Sequence, residues 1–188
     1  MMNKINAISL FASAGIGELL LENTNVNVLL ANELIQKRAD CYSFLHKDSK
    51  MLCGDIRDIE IKDKIINFSK ENNVKMLIAT PPCQGFSTVG KNKKQGNYEQ
   101  DDRNYLIFEI FPFIVKLNLD YILIENVPNF LEMICEYQGE NLTIDKILKK
   151  EYGTLYIIDA RVLNAKDYGI CQSRPRSIIK MYKKDLKW

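Results

Sequence analysis

Long hydrophobic runs, histidines and paired cysteines are scarce or missing in this 188-residue chain. No apolar stretch approaches the roughly 18 residues that a membrane-spanning helix needs. Met1-Met2-Asn3-Lys4 leads into a strand candidate rather than into the apolar core of a secretory signal. The single histidine, His46, excludes a metal centre built on imidazoles. The cysteines at 41, 53, 83, 135 and 171 are odd in number, widely spaced and form no C-x-x-C pair. That pattern argues against a disulfide framework or a zinc site and fits a reducing cytoplasm. Charge of one sign is missing too: 26 basic against 24 acidic residues leave +2, so any footprint for a polyanion must be local. There are no internal repeats, low-complexity segments or linkers, and 46% hydrophobic with 27% charged residues describes one soluble globular domain.

What is present is a series of short apolar runs that each end in a polar or small-residue cluster. Ala7 to Phe11 reads as a strand running into Ala12-Ser13-Ala14-Gly15-Ile16-Gly17-Glu18, a small-residue turn followed by the helical run Leu19 to Leu21. A strand, a glycine turn and a helix start can offer backbone N–H groups to a ligand, although tight packing explains such a turn equally well and the third glycine of a dinucleotide fingerprint is missing. Val26 to Ala31 is the next strand, ending in Asn32-Glu33, where a carboxylate is placed to accept from ribose hydroxyls. Ile35 to Leu45 reads as a helix, and Met51 to Cys53 is a third strand closed by Gly54-Asp55-Ile56. Each acid alone is an ordinary loop residue, but a glycine turn and two acids on successive strand ends point to a ligand at one sheet edge.

Lys62 to Glu71 is a polar helix, and Val74 to Ala79 is a fourth strand that delivers Thr80-Pro81-Pro82-Cys83-Gln84-Gly85-Phe86-Ser87. Two prolines stop the strand and stiffen the backbone leading to the cysteine, which suits a nucleophilic thiol whose reach must be set in advance. A turn with an incidental cysteine is the alternative. The stretch from Gly90 to Gln100 is polar and locally basic, with Lys91, Lys93 and Lys94 able to meet phosphates or simply to face solvent. Asp101 to Asn104 caps a helix with apolar positions 106, 107, 110, 111, 114 and 117, interrupted by Pro112, where a kink or early stop is expected. A fifth strand, Tyr121 to Ile124, ends in Glu125-Asn126-Val127. Thr143 to Lys150 is helical, Leu155 to Leu163 is rich in β-formers, and Gln172-Ser173-Arg174-Pro175-Arg176 opens a strand over Ser177 to Tyr182. The period of two puts Arg174 and Arg176 on one face, as an anion or polar substrate group would require.

Taken together, Phe11 through Gly17, Asn32-Glu33, Gly54-Asp55-Ile56, Pro81-Pro82-Cys83-Gln84, Asp102-Arg103-Asn104, Glu125-Asn126-Val127 and Gln172 through Arg176 resemble the cytosine-5 DNA methyltransferases in order and spacing. The resemblance implies a Rossmann-like α/β fold, a mostly parallel sheet with flanking helices that binds S-adenosylmethionine, here incomplete at its carboxyl end. It implies that Phe11, Ala14, Gly15, Ile16, Gly17, Glu33, Leu34, Asp55, Ile56, Pro81 and Leu106 line the cofactor site, with Glu33 on the ribose and Asp55 and Ile56 on the adenine. It makes Cys83 the nucleophile, Glu125 a protonated partner for cytosine N3, Arg174 the group at O2 and Arg176 the residue that orients Glu125. Gln84, Ser87, Lys91, Asn126 and Val127 would meet double-stranded DNA, and no metal is required.

Departures from the family pattern are small: an extra small residue in the first motif with Glu18 for its last glycine, Leu34 where a bulkier residue is common, and Cys171 where proline is common. The larger one is that residues 1–188 read as the catalytic and cofactor domain alone, with no target-recognition domain. Three explanations compete: a split enzyme completed by a second polypeptide, a truncated chain, or a methyltransferase-like DNA- or partner-binding subunit without activity. The intact catalytic positions weigh against a decayed gene and against the inactive subunit, and leave the split enzyme, which is favoured, and truncation both open. The related tRNA cytosine-5 methyltransferases are the nearer alternative, but Gly85-Phe86-Ser87 looks more like the DNA enzymes. The expected setting is restriction–modification in a bacterial cytosol.

Overall fold

The computed structural model describes residues 4–82 and 102–186. They form an α/β fold in which seven strands make a mostly parallel sheet flanked by helices, and two further strands make a hairpin. The chain divides into two compact units, Met1–Thr80 with Glu109–Ile122, and Pro81–Phe108 with Leu123–Trp188. Among the described residues no helix is long and apolar enough to cross a membrane.

The first unit holds strands β1 (Ile5–Leu10), β2 (Val26–Glu33), β3 (Lys50–Cys53) and β4 (Met76–Ala79), in the order β3-β2-β1-β4. All three pairings are parallel, with Leu10 opposite both Asn32 and Ala79, and Glu33 opposite Cys53. Parallel strands covered on both faces read as continuous apolar runs, and all of β4 is buried. Helices α1 (Gln36–Leu45), α2 (Ile59–Glu71) and α3 (Phe111–Leu117) belong to the same unit. Helix α2 starts three residues before the expected Lys62 because the Asp58 carboxylate accepts from Glu60 N–H at 3.0 Å, an N-cap that satisfies an orphan donor. Strand β5 (Tyr121–Asn126) begins in this unit and ends in the second.

Two local expectations are corrected. No α-helix follows the glycine turn: Ile16–Glu18 and Leu21–Asn23 are separate 3₁₀ turns. The segment runs into Asn23-Thr24-Asn25, whose side chains compete for the backbone. The Thr24 hydroxyl donates to Leu21 C=O at 2.7 Å and accepts from Val26 N–H at 3.1 Å, closing the turn before a helix can propagate. A helix dipole therefore plays no part at this site. Pro112 neither kinks nor stops a long helix. It sits in the first turn of α3, and Asp102–Ile110 before it is 3₁₀. Its missing N–H costs nothing in a first turn, while its ring excludes an α-helical carbonyl four residues earlier.

The second unit contains β6 (Ile134–Tyr137) and β7 (Glu140–Thr143), the antiparallel hairpin, then α4 (Ile144–Tyr152), β8 (Tyr156–Asn164) and β9 (Pro175–Lys183). The hairpin turns through Gln138 (φ 53°) and Gly139 (φ 78°), the paired positive φ of a type I′ turn. Its dipeptide, Gln-Gly, is a weaker turn signal than Asn-Gly, and the sequence does not announce the hairpin. Helix α4 buries Ile144, Ile147, Leu148 and Tyr152, an apolar stripe at helical spacing. Strands β8 and β9 are antiparallel, with Asn164 opposite Pro175 and Leu163 opposite Arg176.

Candidate active site

In the first unit, parallel register brings the carboxyl ends of β1, β2, β3 and β4 to one edge, where the family resemblance puts most of its cofactor residues. The backbone after β1 is strained: Phe11 (φ 60°), Ser13 (φ 53°) and Gly15 (φ 70°) all lie in the left-handed region. For a residue with a side chain this costs about 1–2 kcal/mol, so neighbours must hold it. They do. Thr80 donates its hydroxyl to Phe11 C=O at 2.9 Å, Ala12 N–H donates to Asn32 C=O at 3.0 Å, and Ser13 N–H donates to Glu33 Oε2 at 2.9 Å. Glu33 is 5% exposed, and its Oε1 accepts from Ile35 N–H at 3.0 Å, so one carboxylate fastens the β1 loop to the start of α1. Each oxygen retains a second acceptor direction. Asn32, also buried, donates to Leu52 C=O and Gly54 C=O and so locks β2 to the end of β3.

Other expected cofactor residues differ in what they expose. Ile16 and Leu34 are exposed apolar side chains at this edge, whereas Ile56 is 4% exposed and leaves only its backbone to meet a ligand. Asp55 is ion-paired with Arg57 at 2.6 Å, and the hydrogen bonds and charge of that guanidinium hold its carboxyl below the usual range despite some desolvation. Gly17 faces open space, but a Cβ on Gly15 would lie 2.3 Å from His46 Nε2 and 2.7 Å from Tyr42 Cδ2. That contact introduces residues that no sequence motif selects. His46 Nε2 is 3.0 Å from Gly15 C=O, Tyr42 donates to Glu18 Oε2 at 2.8 Å, and Ser9 donates to Glu18 Oε1. Burial pushes the Glu18 carboxyl up from its ordinary range, partly offset by those two hydrogen bonds and by His46.

In the second unit, the alternation of β5 sends neighbouring side chains to opposite faces. Glu125 is half-buried and its Oε1 lies 2.9 Å from Arg176 Nε, while Arg176 also donates through Nη1 to Pro175 C=O at 2.7 Å. Asn126, expected at the DNA, is 5% exposed. Its Nδ2 donates to Pro81 C=O at 2.9 Å and its Oδ1 accepts from Val127 N–H at 2.8 Å, so both ends of its amide meet backbone. The Val127 carbonyl accepts from the buried Ser177 hydroxyl at 3.0 Å. Pro81 is buried and Leu106 half-buried. Arg174 lies one residue before β9 with an exposed side chain, and its N–H donates to Asn164 Oδ1 at 2.9 Å. Asn164 also donates to Ser173 Oγ at 3.2 Å, which shapes the turn that presents Arg174. No motif flags Asn164, Thr80 or His46. Cys83, Gln84, Ser87 and Lys91 lie outside the described residues.

The arrangement thus offers an edge with strained backbone, acceptor carboxylates and exposed apolar side chains in one unit, and a carboxylate–guanidinium pair next to an anchored Pro-Pro segment in the other. Comparison with known proteins decides the family. The model of the C-5 cytosine-specific DNA methylases matches residues 5–188. This chain belongs to the C-5 cytosine-specific DNA methylase family. Among curated C-5 methylase relatives, the type II methyltransferase M1.HgaI of Avibacterium volantium is 45% identical over 188 residues, which is 100% of this chain and 53% of that protein. The type II methyltransferase M.Sau3AI of Staphylococcus aureus is 31% identical over 195 positions, covering 45% of its own length. A prophage-encoded E. coli protein described as a DNA modification methyltransferase superposes with a TM-score of 0.75 at 26% identity, over 97% of this chain and 47% of that one. Spodoptera frugiperda DNMT2, at 20% identity and a TM-score of 0.73, shares the fold. The chain therefore spans about half the length of the relatives it matches.

Proposed function

We propose that this chain is the cofactor-binding and catalytic part of a DNA (cytosine-5-)-methyltransferase of a type II restriction–modification system. The observation that carries the reading is the Glu125–Arg176 pair beside the Asn126 grip on Pro81, two residues before Cys83, in a chain whose family match runs from residue 5 to 188. The relatives are about twice as long, and the reading adds a second polypeptide or further segment that carries target recognition.

The residues at the first edge fit S-adenosylmethionine: exposed Ile16 and Leu34 suit an adenosine's apolar faces, and Glu33 keeps acceptor directions for ribose hydroxyls. When bound, the cofactor supplies an electrophilic methyl on a sulfonium. The remaining chemistry belongs to the chain. A cytosine in a duplex hides C5 and C6, so it is flipped out at a cost of a few kcal/mol. The Cys83 thiolate forms a bond to C6, and the ring double-bond pair becomes available at C5. The charge that develops on the ring spreads to N3 and O2, where a proton shared between N3 and Glu125, and the Arg174 guanidinium at O2, stabilise it. Arg176 fixes the direction of Glu125 by occupying Oε1, leaving Oε2 to meet N3. After C5 carries the methyl, loss of H5 to base restores the double bond and expels Cys83 as thiolate.

The test is labelled methyl transfer to duplex DNA and to tRNA, with this chain alone and with a candidate second polypeptide. Transfer to duplex DNA in the combined sample, lost in Cys83→Ala while DNA binding persists, is the expected result. Turnover retained in Cys83→Ala sinks the nucleophile, transfer confined to tRNA sinks the substrate, and full activity from this chain alone sinks the need for a partner.

A further inference from the structure

We infer that His46 is a positioning residue for the Gly15 turn, acting with Tyr42 and Glu18 to aim the backbone donor that this turn presents to the cofactor. The inference rests on the proposal that the Gly15–Gly17 turn belongs to an S-adenosylmethionine site.

The Gly15 carbonyl accepts from Glu18 N–H at 3.0 Å and faces His46 Nε2 at 3.0 Å. A carbonyl can only accept, so Nε2 carries the proton in this contact. A trans peptide holds its C=O and N–H antiparallel, so whatever fixes the Gly15 carbonyl also fixes the opposite direction for Ile16 N–H. Ile16 opens a 3₁₀ turn, where an N–H has no partner within the turn and is available to a ligand. His46 thereby sets the aim of a donor it never touches.

His46 is itself held. Its ring stacks on Tyr42 with centroids 4.3 Å apart and planes 26° apart, and its own N–H donates to Tyr42 C=O at 2.8 Å. Tyr42 is wholly buried, and its hydroxyl donates to Glu18, the residue that ends the same turn. Gly15, His46, Tyr42 and Glu18 thus close a ring of contacts beneath the turn. The fit is tight: the ring of His46 occupies the space a Cβ on Gly15 would need. A merely structural histidine at the end of α1 needs only its backbone N–H, and the Nε2 contact to the glycine carbonyl is what the positioning role adds.

Titration calorimetry of S-adenosylmethionine into the 188-residue chain tests this, with thermal unfolding of each variant alongside. His46→Leu keeps bulk on Tyr42 but removes the donor, and cofactor binding should weaken about tenfold, the scale of one lost hydrogen bond. His46→Gln offers an amide N–H near the place of Nε2 and should restore binding to within about threefold of the unmodified chain. Tyr42→Phe, which releases the hydroxyl's links to Glu18 and Ser49 and keeps the ring under His46, should lose an intermediate amount. Unchanged affinity in His46→Leu overturns the inference, as does an equal loss in the Leu and Gln variants that tracks their unfolding midpoints. Absence of binding by the unmodified chain overturns the cofactor reading as well, which separates the two failures.

Discussion

Arg176 Nε lies 2.9 Å from Glu125 Oε1, a charge-assisted pair joining a residue of β9 to one of β5, with both side chains partly shielded from solvent. Because Asn126 is the next residue on β5, its side chain takes the opposite face and grips Pro81. Two adjacent positions thus hold two different partners, Glu125 the Arg176 guanidinium and Asn126 the Pro81 carbonyl.

Arg176→Lys keeps the charge and loses the planar fork, so Glu125 loses its fixed direction. Methyl transfer should fall by roughly 10²-fold, within the range seen when one oriented catalytic group is disturbed. Stability should fall by less than about 1 kcal/mol, since pairs this accessible contribute little. Initial-rate assays beside urea unfolding would separate the two, and a large unfolding shift with normal rates would contradict the role.

Asn126→Ala removes the donor to a buried Pro81 carbonyl and should cost about 1–3 kcal/mol. Because Pro81 precedes Cys83 by two residues, the rate of methyl transfer should drop more than DNA affinity does. Chemical denaturation and a filter-binding titration give the two numbers.

Gly15→Ala should destabilise the chain by at least about 1–2 kcal/mol from its left-handed φ alone, with a further loss because the new methyl meets His46. Gly17→Ala meets nothing and should be nearly silent in thermal unfolding. Equal effects at the two glycines would show that the turn is not held from below.

The two perturbed carboxyls of the first unit carry opposite pH signatures. Burial raises Glu18, so the native state binds its proton more tightly than the unfolded chain. Its contribution is present below the ordinary carboxyl range and is lost as pH rises through the raised value. Asp55 is lowered by Arg57, so its contribution is present above the ordinary range and is lost as pH falls through the depressed value. Unfolding free energy measured across the acid range should therefore lose its high-pH decline in Glu18→Gln and part of its low-pH decline in Arg57→Ala. Parallel curves for Glu18→Gln and the unmodified chain would refute the first assignment.

Much of this is legible in the residues. Buried parallel strands announce themselves as apolar runs such as Met76 to Ala79, and the acids that come after them, Glu33, Asp55 and Glu125, mark strand carboxyl ends before any coordinate is known. The family motifs are equally visible, because their chemistry needs particular residue types at particular spacings. The 3₁₀ turns after Gly15 are not, since three leucines in a row suggest a helix and only the competing Asn-Thr-Asn segment and the closing bond of Thr24 prevent one. The β6–β7 hairpin escapes for want of a strong turn dipeptide.

Residue type, spacing and the family resemblance they carry are enough for the fold class and for the order of the acids at the strand ends. Which side chains are spent on holding others emerges only once the chain is folded. Asn126 braces Pro81, and His46, unsuited alone to a metal centre, lies against Gly15 with no room for a Cβ between them. Such roles depend on partners 31 and 45 positions away in the chain, and no local pattern encodes a hydrogen bond across that separation.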